Sequence, residues 1–105
     1  MNMNNNINTQ TVTVRKTARG VRVWLEDTAN NSRLSGAGFC AGARYDTTII
    51  DGVITYTLNP EGKKRVSGKA YPLIDLSRKS IDGLEIGDEL TAVYSAGSVV
   101  IRKTI

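Results

Sequence analysis

The chain repeats itself at an offset of 45 residues, and that repeat limits what it can fold into. Ser32-Arg33-Leu34-Ser35-Gly36-Ala37-Gly38-Phe39-Cys40-Ala41-Gly42 runs parallel to Ser77-Arg78-Lys79-Ser80-Ile81-Asp82-Gly83-Leu84-Glu85-Ile86-Gly87. The register continues without a gap to Asp51-Gly52-Val53-Ile54 over Ala96-Gly97-Ser98-Val99. Six of the 24 columns from Ser32/Ser77 to Thr55/Val100 are identical, and three of the six are glycines: Gly38/Gly83, Gly42/Gly87 and Gly52/Gly97. Glycines at fixed positions mark backbone that turns with positive φ or approaches another segment closely, so the two halves are expected to share one chain path.

At 105 residues the chain can bury a single core but not two, so both halves are expected to share it. Met1–Gln10 is asparagine-rich and uncharged and reads as a disordered tail, without the basic start and apolar stretch of a secretory signal. No apolar run is long enough to span a membrane. The single cysteine, Cys40, excludes an internal disulfide framework and suits a reducing cytoplasm; it reads as a small packing residue at a turn. Histidine is absent, which removes the usual general base, the histidine-dependent nucleophile systems and the commonest metal ligand. Asp46, Asp51, Asp75, Asp82, Glu85, Asp88 and Glu89 read as solvated acids of turns and strand ends. We expect no enzymatic activity, metal or cofactor.

Local patterns place the elements. Thr11–Val14 alternates and ends in a basic turn, Arg15–Gly20. Val21, Val23 and Leu25 share one face of the next strand, with Arg22 and Trp24 on the other. Ile74 and Leu76 flank Asp75 in the same way. Glu26–Asn31 has no counterpart in the second half and reads as a six-residue loop insertion. A helical turn closed by glycine is expected before Gly42 and again before Gly87. Tyr45–Ile50 and Val53–Leu58 form a hairpin about Asp51-Gly52; Leu90–Tyr94 and Val99–Ile101 repeat it about Ala96-Gly97. Tyr45, Tyr56 and Tyr94 are expected in the core, and Tyr71 has no clear place. One domain, 11–105, results, with repeats 11–58 and 64–105 joined by a turn-rich linker at 59–63.

Pro72-Leu73-Ile74-Asp75-Leu76-Ser77, the turn Gly83-Leu84-Glu85-Ile86-Gly87-Asp88-Glu89-Leu90 and the hairpin through Gly97-Ser98-Val99-Val100-Ile101 resemble the AbrB/MazE/SpoVT swapped-hairpin superfamily. Ala37-Gly38-Phe39-Cys40-Ala41-Gly42 resembles the SymE-like version of that turn. In such proteins two chains interlock their hairpins into a small barrel that presents a basic face to DNA. The resemblance implies a mainly β fold in which two strand–helical turn–hairpin repeats interlock as a single-chain pseudo-dimeric barrel. The Pro-Lys-x-x-x-Arg sequence of AbrB-type strands is absent here.

The net charge is +4, and the cations gather in clusters: Arg15, Lys16, Arg19 and Arg22; Lys63, Lys64 and Arg65 with Lys69; and Arg78 with Lys79. Arg33 and Arg78 recur in both halves. The first two clusters each precede a long strand, so the repeat is expected to place them comparably, along adjacent phosphate tracks of duplex DNA. The alternative is a set of solvated loops. Arg102 and Lys103 read as an exposed strand end. Trp24 beside Arg22 suits a protein partner or a base, or packing under the insertion. Two functions follow from this reading. One is a small DNA-binding protein: a regulator, antitoxin-like or SymE-like. The other is a protein-binding inhibitor or adaptor, such as a phage-encoded inhibitor of host defence. Either acts as a monomeric pseudo-dimer or a homodimer.

Overall fold

The computed structural model describes residues 8–104. Along these residues run β1 (Thr9–Thr13), β2 (Arg15–Thr17), β3 (Gly20–Glu26), α1 (Arg33–Gly36), β4 (Arg44–Ile50), β5 (Val53–Leu58), β6 (Lys64–Arg65), β7 (Leu73–Arg78), β8 (Glu89–Ser95) and β9 (Ser98–Lys103). The fold is mainly β and its ladders are antiparallel. The strands form two open sheets rather than a closed barrel: one in the order β1-β8-β9-β5-β4-β6, the other β2-β3-β7. The chain leaves the larger sheet at buried Val14 and at buried Val66, before its edges can meet. The two sheets therefore stand as layers over a shared core rather than closing on themselves.

That core draws on both halves. Val23, Leu25, Leu34, Phe39, Ile54 and Tyr56 from the first half join Ile74, Ile81, Leu90, Val99 and Ile101 from the second. Val21, Val23 and Leu25 are buried while Arg22 and Trp24 face away, as the alternation implies. Tyr45, Tyr56 and Tyr94 are buried; Tyr71 is exposed. Cys40 is exposed, which corrects its reading as a packing residue: the turn buries Phe39 beside it instead.

The ladders carry the repeat. In the β5–β9 ladder Thr55 pairs with Val100, its own counterpart at the 45-residue offset. The flanking pairs Ile54↔Ile101 and Tyr56↔Val99 change places under the same offset. Adding the six inserted residues gives an offset of 51 upstream, where Trp24 pairs with its counterpart Asp75. There Val23↔Leu76 and Leu25↔Ile74 interchange. Antiparallel ladders that map onto themselves in this way are centred on an approximate two-fold.

Hydrogen bonds at the strand ends follow the same rule. Val14 N donates to Asp88 O at 2.9 Å and Val14 O accepts from Gly87 N at 2.8 Å; Val66 N donates to Ala43 O at 2.9 Å and Val66 O accepts from Gly42 N at 2.8 Å. Thus β1 of the first half lies on β8 of the second, and β6 of the second lies on β4 of the first. The hairpin tips cross over too. Gly97 N donates to Ala37 O at 2.8 Å, and a Cβ on Gly83 would fall 2.8 Å from Gly52 N. Two of the three recurring glycine pairs, Gly38/Gly83 and Gly52/Gly97, therefore lie where one half's hairpin tip meets the other half's turn, and the third, Gly42/Gly87, bonds the edge-strand ends at Val66 and Val14.

Three expectations need correction. The tail read as 1–10 ends earlier, because Thr9 and Gln10 already pair with β8; residues 1–7 lie outside the described residues. Arg15–Thr17 is a short strand rather than a turn, because β3 supplies its partners. The helical turn forms only in the first half. The second closes the same span with a turn in which Leu84 N donates to Ile81 O at 3.0 Å. Asp27, in the insertion, accounts for the difference: its carboxylate accepts from Leu34 N at 2.9 Å, Ser35 N at 3.0 Å and Ser35 Oγ at 2.9 Å. The second half has no such acid, because Asp27 lies in the insertion that half lacks.

Candidate nucleic-acid interface

The β2–β3 hairpin reverses through Thr17-Ala18-Arg19-Gly20, where Thr17 Oγ1 accepts from Arg19 N at 3.2 Å. Gly20 has φ 156°, and a Cβ there would sit 2.2 Å from Arg78 O and 2.6 Å from Lys79 Cα. Only glycine allows β3 to begin against the end of β7, which brings Arg78 and Lys79 beside the hairpin. Arg15, Lys16, Arg19, Arg22, Arg78 and Lys79 thus occupy one end of the three-stranded sheet.

These cations differ in freedom. Arg22 is held: its Nε lies 3.1 Å from Asp75 Oδ1 and its guanidinium 4.9 Å from the centre of the Trp24 ring. Asp75 Oδ1 also accepts from Ser77 Oγ at 3.0 Å, and Trp24 Nε1 donates to Glu26 Oε1 at 3.1 Å. Trp24 is therefore half-buried and fixed on both sides. The other five, all exposed, make no ion pair among the described residues. Solvent-exposed cations without partners raise the local potential and bind polyanions electrostatically.

The remaining predicted residues lie elsewhere. Lys64 and Arg65 form β6, with Arg65 opposite Arg44, and Lys63 precedes them at the edge of the larger sheet. Their counterparts across the two-fold are Val12 and Thr13, not the basic hairpin, because Val66 answers to Val14. The hairpin's counterpart is the loop between Ser67 and Leu73, which carries only Lys69. The expectation of two comparably placed basic clusters is thus corrected: the two ends of the small sheet match in backbone and differ in charge. Arg33 and Arg78 part company as well. Arg78 ends β7, whereas Arg33 opens α1 and lines a hollow of about 470 Å³ with Asn31, Tyr94 and Ser95.

Asp75 and Asp27 are the side chains the sequence reading undervalued. Asp75 sits between two core residues of β7, and the pairing of β7 with β3 is what aims it at Arg22. Asp27 is buried, and its position after a strand and ahead of a short helix was the available signal. Among the described residues no group of three or more His, Cys, Asp or Glu side chains could hold a metal, and no helix is long and apolar enough to cross a membrane. The chain matches no protein-family model, no curated protein and no solved structure.

Proposed function

We propose that this chain is a small DNA-binding protein, a single-chain pseudo-dimer of the swapped-hairpin kind, which grips duplex phosphates with the basic end of its three-stranded sheet. The two self-mapping ladders and the exchange of β1 and β6 between halves support the pseudo-dimer. One observation supports the binding role above all: Arg15, Lys16, Arg19, Arg78 and Lys79 converge there, exposed and without ion pairs among the described residues. Because the matching end carries only Lys69, contact is one-sided rather than symmetric across the two-fold. Arg22 and Trp24 hold the sheet face together behind the contact. No catalytic step is assigned.

The test is the salt dependence of binding to a labelled 20-base-pair duplex, read by fluorescence anisotropy. Five phosphate contacts give a log–log slope of about −4.5, a loss of roughly 10²–10³ in affinity between 50 and 200 mM salt. Arg19→Gln and Lys79→Gln each reduce the slope by about one, and Lys64→Gln leaves it unchanged. Undetectable binding at 50 mM salt ends the proposal.

A further inference from the structure

Two strands end the six-stranded sheet, and the two-fold places them in equivalent positions: β1 on β8 and β6 on β4. The sequence treats them very differently. β6 has two residues, Lys64 and Arg65, preceded by Lys63 and Pro60. Shortness, lysine and proline are the devices by which an edge is kept from pairing with another chain. β1 has five residues, Thr9-Gln10-Thr11-Val12-Thr13, with no charge and no proline.

The ladders also show which backbone groups of β1 face outward. Thr104 N donates to Glu89 O, so Glu89 bonds toward β9, and by alternation Leu90 and Ala92 bond toward β1. Their partners there are Val12 and Gln10. Thr11 and Thr13 therefore direct their N–H and C=O groups away from β8. Beside this edge runs a groove of about 320 Å³ lined by Thr11, Val12, Thr13, Arg15, Arg22 and Trp24. It has room for one or two side chains, with an aromatic wall and two guanidinium groups.

We propose that the β1 edge takes an extended, acidic segment of a partner protein as an added strand, with an apolar or aromatic side chain of that segment seated beside Trp24. Thr11 and Thr13 supply main-chain hydrogen bonds, and the groove reads alternate side chains. Charge decides the occupant. Arg15 makes no ion pair among the described residues and the chain carries +4. An acidic strand is attracted, whereas a second copy would bring its own Arg15, Lys16 and positive net charge to the same edge.

Random octapeptides displayed against the full chain provide the probe. Enriched sequences should alternate Asp or Glu with β-branched or aromatic residues. On binding a synthetic peptide of that sequence, the Thr11 and Thr13 amides gain protection from hydrogen exchange. Thr11→Pro removes an outward N–H without touching the β8 ladder, so binding falls about tenfold or more at an unchanged melting temperature. Arg15→Glu, outside β1, gives a second readout with a loss of about tenfold that grows at low salt. No enrichment, or enriched peptides that bind both variants as tightly as the parent, overturns the proposal. Sedimentation of the full chain as a dimer that Thr11→Pro dissolves also overturns it, by making the occupant a second copy. Lys79→Gln should leave peptide binding intact, which separates this surface from the phosphate contacts other than Arg15, which both share.

Discussion

Burial and hydrogen bonding conflict at Tyr56. Its ring packs edge-on against Tyr45 with centroids 5.4 Å apart, yet its buried hydroxyl has no partner among the described residues. Burial, then the neighbouring Tyr45, pushes the hydroxyl's pKa far above its ordinary value of 10.0. Burial, then Asp27, raises Tyr94 as well, and its hydroxyl donates to Gln10 Oε1 at 2.8 Å. Groups raised in the folded state stabilise it fully below the unfolded value, and that contribution drains away as pH climbs past about 10. Melting temperature should therefore hold level to about pH 9 and drop beyond pH 10, followed by circular dichroism. Tyr56→Phe should flatten part of that drop and cost less than about 1 kcal/mol at neutral pH, because no hydrogen bond is lost. Asp27→Ala is the contrasting case. It strands two backbone N–H groups of α1 and should cost about 2–3 kcal/mol in urea unfolding, while Glu26→Ala costs under about 0.5 kcal/mol. A small cost at Asp27 would mean that α1 stands without its acceptor.

At the scale of elements, Gly20 decides whether the basic hairpin and the end of β7 meet. A side chain there would run into Arg78 O at 2.2 Å. Gly20→Ala should therefore destabilise by more than about 1 kcal/mol and weaken duplex binding beyond what the stability loss explains. Anisotropy at temperatures where the variant is still folded separates the two effects. None of this juxtaposition was visible locally: Arg15–Arg22 and Arg78–Lys79 lie more than fifty residues apart, and only the β3–β7 register unites them. Elements with strong local signals were legible. Val21, Val23 and Leu25 showed β3 by alternation, and Asp51-Gly52, with φ 50° and 77°, showed the β4–β5 turn. β2 was not, because Arg-Lys-Thr has no apolar period and becomes a strand only when β3 lies beside it. Nor was the open edge of the sheet, since closure depends on how strands meet across the whole chain.

For the molecule as a whole, the exchange of edge strands makes each half an incomplete object. Residues 60–105 contain β6 to β9 but lack β1 for β8, β3 for β7 and β5 for β9. The hairpin tip at Gly97 would also lose its seat on Ala37. Such a fragment has two options. It remains unfolded, or it pairs with a second copy of itself, which the two-fold permits because each missing strand has a counterpart in the fragment. The second option makes melting concentration-dependent, since folding is then coupled to association. Mixing residues 1–59 with 60–105 should instead restore a one-to-one complex, because a break between them falls in the linking turn and severs no ladder. Circular dichroism melts of each fragment and of the mixture, with sedimentation for stoichiometry, distinguish these states. A 60–105 fragment that melts cooperatively as a monomer at every concentration would show that the second half owns a complete core, and the interlocked reading would fall.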